Sequence, residues 1–107
     1  MVKIIKSSGN ILEDMGFENP RNELLKANLT ARISSILQKK KIKQKIAASL
    51  LGIDQPKVSA LKNGYYTGFS VERLLSFLLA LEQDIDIIIK PNKNNHRPSE
   101  IHVLAAY

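Results

Sequence analysis

The chain has 107 residues and a mass of 12.0 kDa, a size that one folded domain accounts for. It lacks cysteine, which excludes disulfide bonds, a thiolate nucleophile and cysteine-ligated zinc, and its 44% of apolar and 24% of charged residues predict a packed core. Every apolar run falls well short of the roughly 18 residues that span a bilayer, and the first residues do not resemble a signal peptide. We therefore expect a single cytoplasmic domain over residues 1–107, with its core at 18–82.

The net charge of +6 is concentrated in the middle of the chain. Residues 21–65 contain ten Lys or Arg against only Glu23 and Asp54, a net of +8, whereas residues 1–20 and 66–107 each have a net charge of −1. A concentrated basic surface favours a polyanionic partner, because each phosphate contact releases condensed counterions. A solvated, solubilising face has the same charge, and charge alone leaves that alternative open.

The first predicted elements are short and are followed by a long helix. Residues Val2–Lys6 are a candidate edge strand, and a brief helical turn is expected before Gly16. Asn19 suits the N-cap and Pro20 the first position of a helix that we expect to reach about Lys40. Its apolar residues recur at spacings of three and four and share one face: Leu25, Leu29, Ile33, Ile36 and Leu37.

Two short helices joined by a tight turn are predicted next. The first ends at Gly52, which can adopt the left-handed backbone conformation that closes a helix. Asp54 suits the N-cap of the second, Pro56 lies in its first turn, and Asn63-Gly64 ends it. The residues expected to face inward are Ile46, Ala47, Leu50, Leu51, Val58 and Leu61. This arrangement is the layout of a helix-turn-helix motif over residues 44–64.

The motif has a specific resemblance. Residues 44–64, QKIAASLLGIDQPKVSALKNG, resemble the helix-turn-helix of phage repressors and Cro proteins, the XRE family. The shared positions are Gln44, Ala48, Leu51-Gly52-Ile53, Gln55, Val58, Leu61 and Asn63-Gly64. The segments on either side resemble a narrower branch of antitoxins and regulators akin to the HigA group. The resemblance implies a mainly α, lambda-repressor-like bundle of four to five helices.

Two residues depart from the family pattern. Lys43 occupies the position of the usual threonine, which removes a side-chain N-cap and leaves the start of the helix in question by about one residue. Ile46 occupies the position of a usual acidic residue.

The resemblance also implies how the motif reads DNA. The second helix of such a motif lies in the major groove with its N-terminal residues at base edges, while the first crosses the backbone. Gln55 and Lys57 are the best base readers, because Gln pairs bidentately with adenine and Lys donates to guanine. Pro56 and Ala60 offer apolar contact, and Ser59 suits a base edge or a phosphate. The residues placed to hold phosphates are Lys43, Gln44, Lys45, Lys62, Asn63 and Tyr65 or Tyr66.

Each of these roles has an alternative that the sequence leaves open. Gln55 also suits a polar surface position, and Lys39 to Lys41 suit a solvated helix end favoured by the helix dipole. Tyr65 and Tyr66 suit packing against the recognition helix as well as contact with DNA.

The remaining third of the chain predicts a fourth helix and two strands. Ser70 suits the N-cap of a helix that is apolar almost all round and needs cover from the core or from a second subunit. Residues 84–90 and 99–105 predict a small C-terminal β-strand or hairpin, with Ile85, Ile87 and Ile89 on one face. Because an isolated two-stranded ribbon is marginal in water, we expect these strands to join residues 2–5 or the equivalent strands of a partner subunit.

The residue inventory argues against an enzyme. There is no cysteine, no Gly-rich phosphate loop and no nucleophile elbow, and His96 and His102 lack ligand-like spacing, so no catalytic, cofactor or metal site is expected. The alternation of a solvated strand accounts for Asp84 and Asp86 without a metal.

The resemblance instead implies a sequence-specific DNA-binding repressor. It would act as a homodimer on a near-palindromic operator in double-stranded DNA. No membrane partner is expected. The narrower branch implies an antitoxin that regulates its own promoter and neutralises a toxin protein. The alternative is an interaction module that masks a toxin or other partner and keeps the motif as a scaffold. The surplus of +8 in residues 21–65 favours DNA binding.

Overall fold

The computed structural model describes residues 20–105, which form four helices followed by a C-terminal segment without regular structure. The helices are α1 (Pro20–Lys39), α2 (Gln44–Leu51), α3 (Gln55–Lys62) and α4 (Val71–Ala80). This confirms the mainly α bundle. The predicted edge strand at Val2–Lys6, the helical turn before Gly16 and the cap at Asn19 lie outside the described residues.

The core is built around α1 and α4. Both α1 and α2 pack against α3 and α4, so every helix contributes to one apolar interior. The prediction that Ile46 and Leu50 face inward is wrong: they are 53% and 49% exposed, because the eight-residue helix α2 buries only the stripe through Ala47 and Leu51. The buried residues of this interior are Leu29, Ile33, Ile36, Leu37, Ala47, Leu51, Ile53, Val58, Leu61, Phe69, Leu74, Phe77, Leu78 and Leu81. Full burial of one Leu, Ile or Val side chain contributes roughly 1.5–3 kcal/mol, so this interior holds the helix-turn-helix in place.

The fourth helix begins where the sequence predicts. The hydroxyl of Ser70 accepts a hydrogen bond of 3.1 Å from the amide of Arg73, as an N-cap does. The rings of Phe69 and Phe77 meet edge to face, with 5.3 Å between their centroids. The Arg73 guanidinium lies 5.6 Å from the Phe69 ring centroid and 5.7 Å from that of Phe77. The bundle buries Leu74, Phe77 and Leu78 of this helix but leaves Leu79 exposed.

The predicted C-terminal strands at 84–90 and 99–105 are wrong for the single chain, since no strand occurs among residues 20–105. No backbone-to-backbone hydrogen bond joins residues 84–105 to any part of the described chain. The amide of Asn92 donates to the carbonyl of Arg97 at 3.1 Å and closes the intervening loop through a side chain. Ile85 and Val103 pack against the core individually. Alternating apolar residues determine a face, but a strand also needs a neighbouring backbone, which this alternation does not supply.

The described part of the chain contains neither a membrane-spanning helix nor a metal-binding cluster. None of its helices has the length and apolar character needed to cross a bilayer. Residues 20–105 also contain no cluster of three or more His, Cys, Asp or Glu side chains that could hold a metal ion.

Candidate nucleic-acid interface

The turn between α2 and α3 sets the angle at which the two helices meet. Gly52 has a φ of +69°, the left-handed conformation that the sequence predicts, and its amide donates to the carbonyl of Ala48. The next amide, that of Ile53, also donates to Ala48 at 3.1 Å, and the Ile53 side chain is buried. A side chain at position 52 would be strained at this φ even though space is available, so glycine is needed for its backbone.

The first turn of α3 is held by two hydrogen bonds, one to its own N-cap residue and one from α2. The Asp54 carboxylate accepts a hydrogen bond of 3.0 Å from the amide of Lys57, which confirms the predicted N-cap. From α2, the side-chain amide of Gln44 donates to the backbone carbonyl of Gln55 at 2.8 Å. The first residue of α3 is therefore tied directly to the first residue of α2.

α3 turns one face to the core and exposes its first turn. Val58 and Leu61 are completely buried, and these two anchors fix the rotation of the helix about its axis. That rotation leaves Gln55, Pro56 and Lys57 exposed, while Ser59 and Ala60 are half-buried. The five residues predicted to read bases thus form an exposed group of three and a more sheltered pair.

The start of α2 has an open N-terminus. Lys43 precedes the helix in an extended conformation and makes no side-chain capping bond, as expected for a residue that replaces threonine. Its neighbours differ in exposure: Lys45 is exposed, while Gln44 is half-buried. Backbone amides at a helix start and nearby ammonium groups favour an anion, so this end of α2 suits a phosphate.

Two residues at the end of α3 that are predicted to contact phosphates also make internal contacts. The Lys62 ammonium lies 3.5 Å from the carbonyl oxygen of Ile42, and the Lys62 carbonyl accepts a hydrogen bond of 2.8 Å from the hydroxyl of Ser34. The side-chain amide of Asn63 donates to the carbonyl of Ser59 at 3.0 Å and satisfies a helix end. Both residues therefore help to hold α3, whatever they contribute to DNA.

The structure separates the two tyrosines that the sequence leaves as alternatives. Tyr65 is 65% exposed beside the end of α3. Tyr66 packs against the core, and its hydroxyl donates to a carboxylate oxygen of Glu23 at 3.0 Å. This hydrogen bond, burial and the negative charge of Glu23 raise the pKa of Tyr66 above its ordinary value of 10.0.

Sequence reasoning missed Ser34 and Glu23, the two α1 residues that support the motif. Ser34 lies 28 residues before Lys62 and Glu23 lies 43 residues before Tyr66. No local pattern marks such pairs, because each depends on how α1 packs across the motif. The nearest available signal is that both residues are polar within a helix that otherwise covers the core.

Comparison with known proteins shows the family to which this arrangement of helices belongs. A family model described as a helix-turn-helix domain matches residues 11–90. The chain belongs to the helix-turn-helix domain family. A solved structure named "Putative XRE Family Transcriptional Regulator" is 40% identical to this helix-turn-helix protein, with a TM-score of 0.74 over 80% of this chain and 97% of that chain. No curated protein matches this helix-turn-helix chain.

These similarities confirm the predicted helix-turn-helix and its likeness to XRE-type proteins. The narrower resemblance to the HigA group of antitoxins stays a prediction. The roles predicted for individual residues of this helix-turn-helix chain also stay predictions.

Proposed function

We propose that this protein is a sequence-specific DNA-binding transcriptional regulator that acts as a repressor. The observation that carries the proposal is the way α3 is held. Val58 and Leu61 are fully buried, while Gln55 and Lys57 stand exposed at the capped start of the helix. A rigid helix with hydrogen-bonding side chains at its exposed N-terminal end is what major-groove readout requires.

We assign base reading to the exposed first turn of α3. Gln55 presents a donor and an acceptor that match adenine, and Lys57 presents an ammonium that matches guanine. Pro56 lies between them and offers apolar contact. Ser59 and Ala60 lie further along the same helix and are half-buried, so we assign them a smaller share of the base contacts.

We assign phosphate contacts to the start of α2 and to Tyr65. Lys43, Lys45 and the amides of the first turn of α2 form a cationic surface next to the first turn of α3. Tyr65 is the exposed member of the tyrosine pair, so we place the contact there rather than on Tyr66. Lys62 and Asn63 act mainly by fixing the end of α3.

We further propose that the regulator is a homodimer on a near-palindromic operator. One such motif covers a single half-site, and two recognition helices must lie about 34 Å apart to read successive major grooves. The narrower resemblance adds that the protein is an antitoxin that represses its own promoter and binds a toxin protein.

A second function, masking of a protein partner with the motif as a scaffold, has one observation in its favour. Large apolar side chains are exposed outside the motif, among them Leu79, Ile88 and Leu104. Such side chains are typical of surfaces that bind protein. The two functions are compatible in one molecule, although exposed apolar side chains also occur within the motif, at Ile46 and Leu50.

The proposal is tested by selecting bound duplexes from a randomised DNA library with the purified full chain. We expect enrichment of one motif made of two inverted half-sites. A parallel selection with the variant Gln55→Ala should change the base preference at one position of each half-site while the other positions persist. Lys93→Ala, at an exposed lysine outside the motif, is the matched control and should select the wild-type motif. Failure to enrich any motif with the wild-type chain would refute sequence-specific binding.

A further inference from the structure

We propose that residues 84–90 form the dimer interface by pairing antiparallel with the same residues of a second copy, centred on Ile87. The inference rests on the proposed function in one respect: a regulator that reads a near-palindromic operator needs a dimer. It names the interface and its register, which the helix-turn-helix motif does not determine.

The first observation is an unpaired segment with exposed isoleucines. Ile87, Ile88 and Ile89 are 41%, 83% and 73% exposed. From residue 83 to residue 94 the chain has no helix, turn or bend, and within the described chain residues 84–90 make no backbone-to-backbone hydrogen bond. Free backbone groups beside exposed β-branched side chains form an edge that accepts another strand.

The second observation is that the segment is complementary to itself. In an antiparallel pair centred on Ile87, Asp84 lies opposite Lys90 of the second copy, and the reverse pair forms by symmetry. Ile85 lies opposite the second copy's Ile89, and Ile87 lies opposite its own counterpart. The register therefore gives two opposite-charge pairs, three apolar pairs and two mixed pairs of Asp86 with Ile88 across the ribbon, with no like charges opposed.

Neighbouring registers are worse for identifiable reasons. A centre at Asp86 places two Asp86 carboxylates directly opposite each other, which is destabilising. A centre at Ile88 also gives two opposite-charge pairs, between Asp86 and Lys90, and three apolar pairs, but the ribbon then ends after five residues, because the next pair sets Pro91, which has no amide to donate, opposite Ile85. A shift of one strand by a single residue turns that strand's other face toward the apolar side of its partner, and in one direction it sets Lys90 opposite Ile85. Pairing about Ile87 avoids the contact between like charges, keeps Ile85, Ile87 and Ile89 on one shared face, and leaves Pro91 just outside a ribbon of seven residues.

The third observation concerns where the ribbon would lie. Ile85 is half-buried and packs against the core of its own subunit. Because opposite residues in an antiparallel pair share a face, the second copy's Ile89 would be brought to the margin of that core. A two-stranded ribbon is marginal alone, but this one would be supported by a helical bundle at each end.

Residues 99–105 of the same chain are one competing occupant, and residues 2–5, which lie outside the described part of the chain, are the other. The loop closed by Asn92 and Arg97 turns the chain back, and Val103 reaches the core. The absence of backbone hydrogen bonds between the two segments in the described chain argues that the single chain does not complete this pairing. A monomer in which residues 84–90 are nevertheless protected from exchange would identify this intrachain arrangement and overturn the proposal.

Paired charge reversals test both the partner and the register. Asp84→Lys alone sets lysines opposite lysines, and Lys90→Asp alone sets aspartates opposite aspartates. We expect each variant to weaken the homodimer at least about tenfold in sedimentation equilibrium, since two favourable pairs become repulsive. Mixed together, the two variants restore both opposite-charge pairs. Native mass spectrometry should then find the heterodimer in clear excess over either homodimer.

Two further variants complete the design. Lys93→Asp reverses an exposed charge outside the paired residues and should leave the dimer unchanged within about threefold. With Ile87 and its counterpart as a hydrogen-bonded pair of the ladder, Ile87→Pro removes two central donors and should give a monomer whose far-UV circular dichroism still reports four helices. A wild-type monomer, an Ile87→Pro dimer or a statistical mixture of the two charge variants would each overturn the proposal.

The outcomes also separate this interface from DNA binding. The monomeric Ile87→Pro chain should retain sequence preference for a single half-site if the regulator function is right. Selective heterodimers without any DNA preference would support the interface and contradict the regulator. Specific DNA binding by a chain that dimerises independently of residues 84–90 would support the regulator and contradict the interface.

Discussion

The side-chain amide of Gln44 donates a 2.8 Å hydrogen bond to the backbone carbonyl of Gln55. This bond connects the first residues of the two helices of the motif, which are eleven positions apart in the chain. It fixes the start of α3, where the exposed side chains lie, relative to the start of α2, where the cationic groups lie. The proposed base contacts and phosphate contacts therefore share one geometric constraint.

Replacing Gln44 by alanine should lower both stability and specific DNA binding. The lost hydrogen bond is exposed, so we expect the free energy of unfolding to fall by about 1 kcal/mol in urea denaturation. Exchange of the Lys57 amide should become faster, because the first turn of α3 loses one of its two supports. Asn92→Ala removes an exposed bond from a side-chain amide to a backbone carbonyl outside the motif and is the matched control. Equal losses of DNA affinity in the two variants would contradict this role.

Substitutions at Gln55 and Lys45 should have different consequences for DNA. Gln55→Ala should cost about 1–3 kcal/mol at a single base position and leave binding to random DNA unchanged. Lys45→Ala should weaken binding to all sequences alike and reduce the slope of log affinity against log salt by about 1. Fluorescence anisotropy on matched and scrambled duplexes measures both effects. If Gln55→Ala weakened binding to both duplexes equally, it would not be reading a base.

The raised pKa of Tyr66 predicts a specific dependence of stability on pH. Its hydrogen bond to Glu23 favours the protonated phenol in the folded state, so the folded pKa lies above the unfolded value. The stabilisation is complete below pH 10 and is lost as the pH rises through the folded pKa. Urea unfolding should therefore find wild type more stable than Tyr66→Phe at pH 8, with the difference shrinking in strongly alkaline solution. Tyr65→Phe, at the exposed neighbour, should show no such convergence.

Thr30 predicts a stabilising substitution in the core. Its hydroxyl is fully buried and has no hydrogen-bond partner among residues 20–105. Thr30→Val keeps the shape and removes the unsatisfied group, so thermal unfolding should show a gain of about 1 kcal/mol. Thr67→Val, on an exposed residue, should change stability by less than about 0.5 kcal/mol. A clear loss of stability in Thr30→Val would mean that the hydroxyl has a partner after all.

Local signals in the sequence predicted most of the helical fold. Asp54 and Ser70 cap the helices that they were expected to cap, and Gly52 ends α2 in the left-handed conformation. These features depend on a few consecutive residues, and the apolar spacing of α1 depends on a single helix. The sequence therefore contains enough information to place each of these elements.

The C-terminal strands could not be predicted in the same way. The alternation around Ile85, Ile87 and Ile89 gives a face, but the hydrogen-bonded neighbour of a strand is a non-local property. The division of Tyr65 from Tyr66 was equally out of reach, because it depends on Glu23 approaching from α1. Within the candidate site, the sequence located the exposed first turn of α3 but not the internal contacts of Lys62 and Asn63.

The most direct test of the central claim is an anisotropy titration of the full chain at two salt concentrations. The ligands are the duplex upstream of its own coding sequence, or the duplex recovered by selection, and a scrambled duplex of the same composition. The account predicts a preference of a thousandfold or more for the specific duplex, the range in which specific readout begins. Equal, weak and strongly salt-sensitive binding to both duplexes would contradict it, leaving only a basic surface.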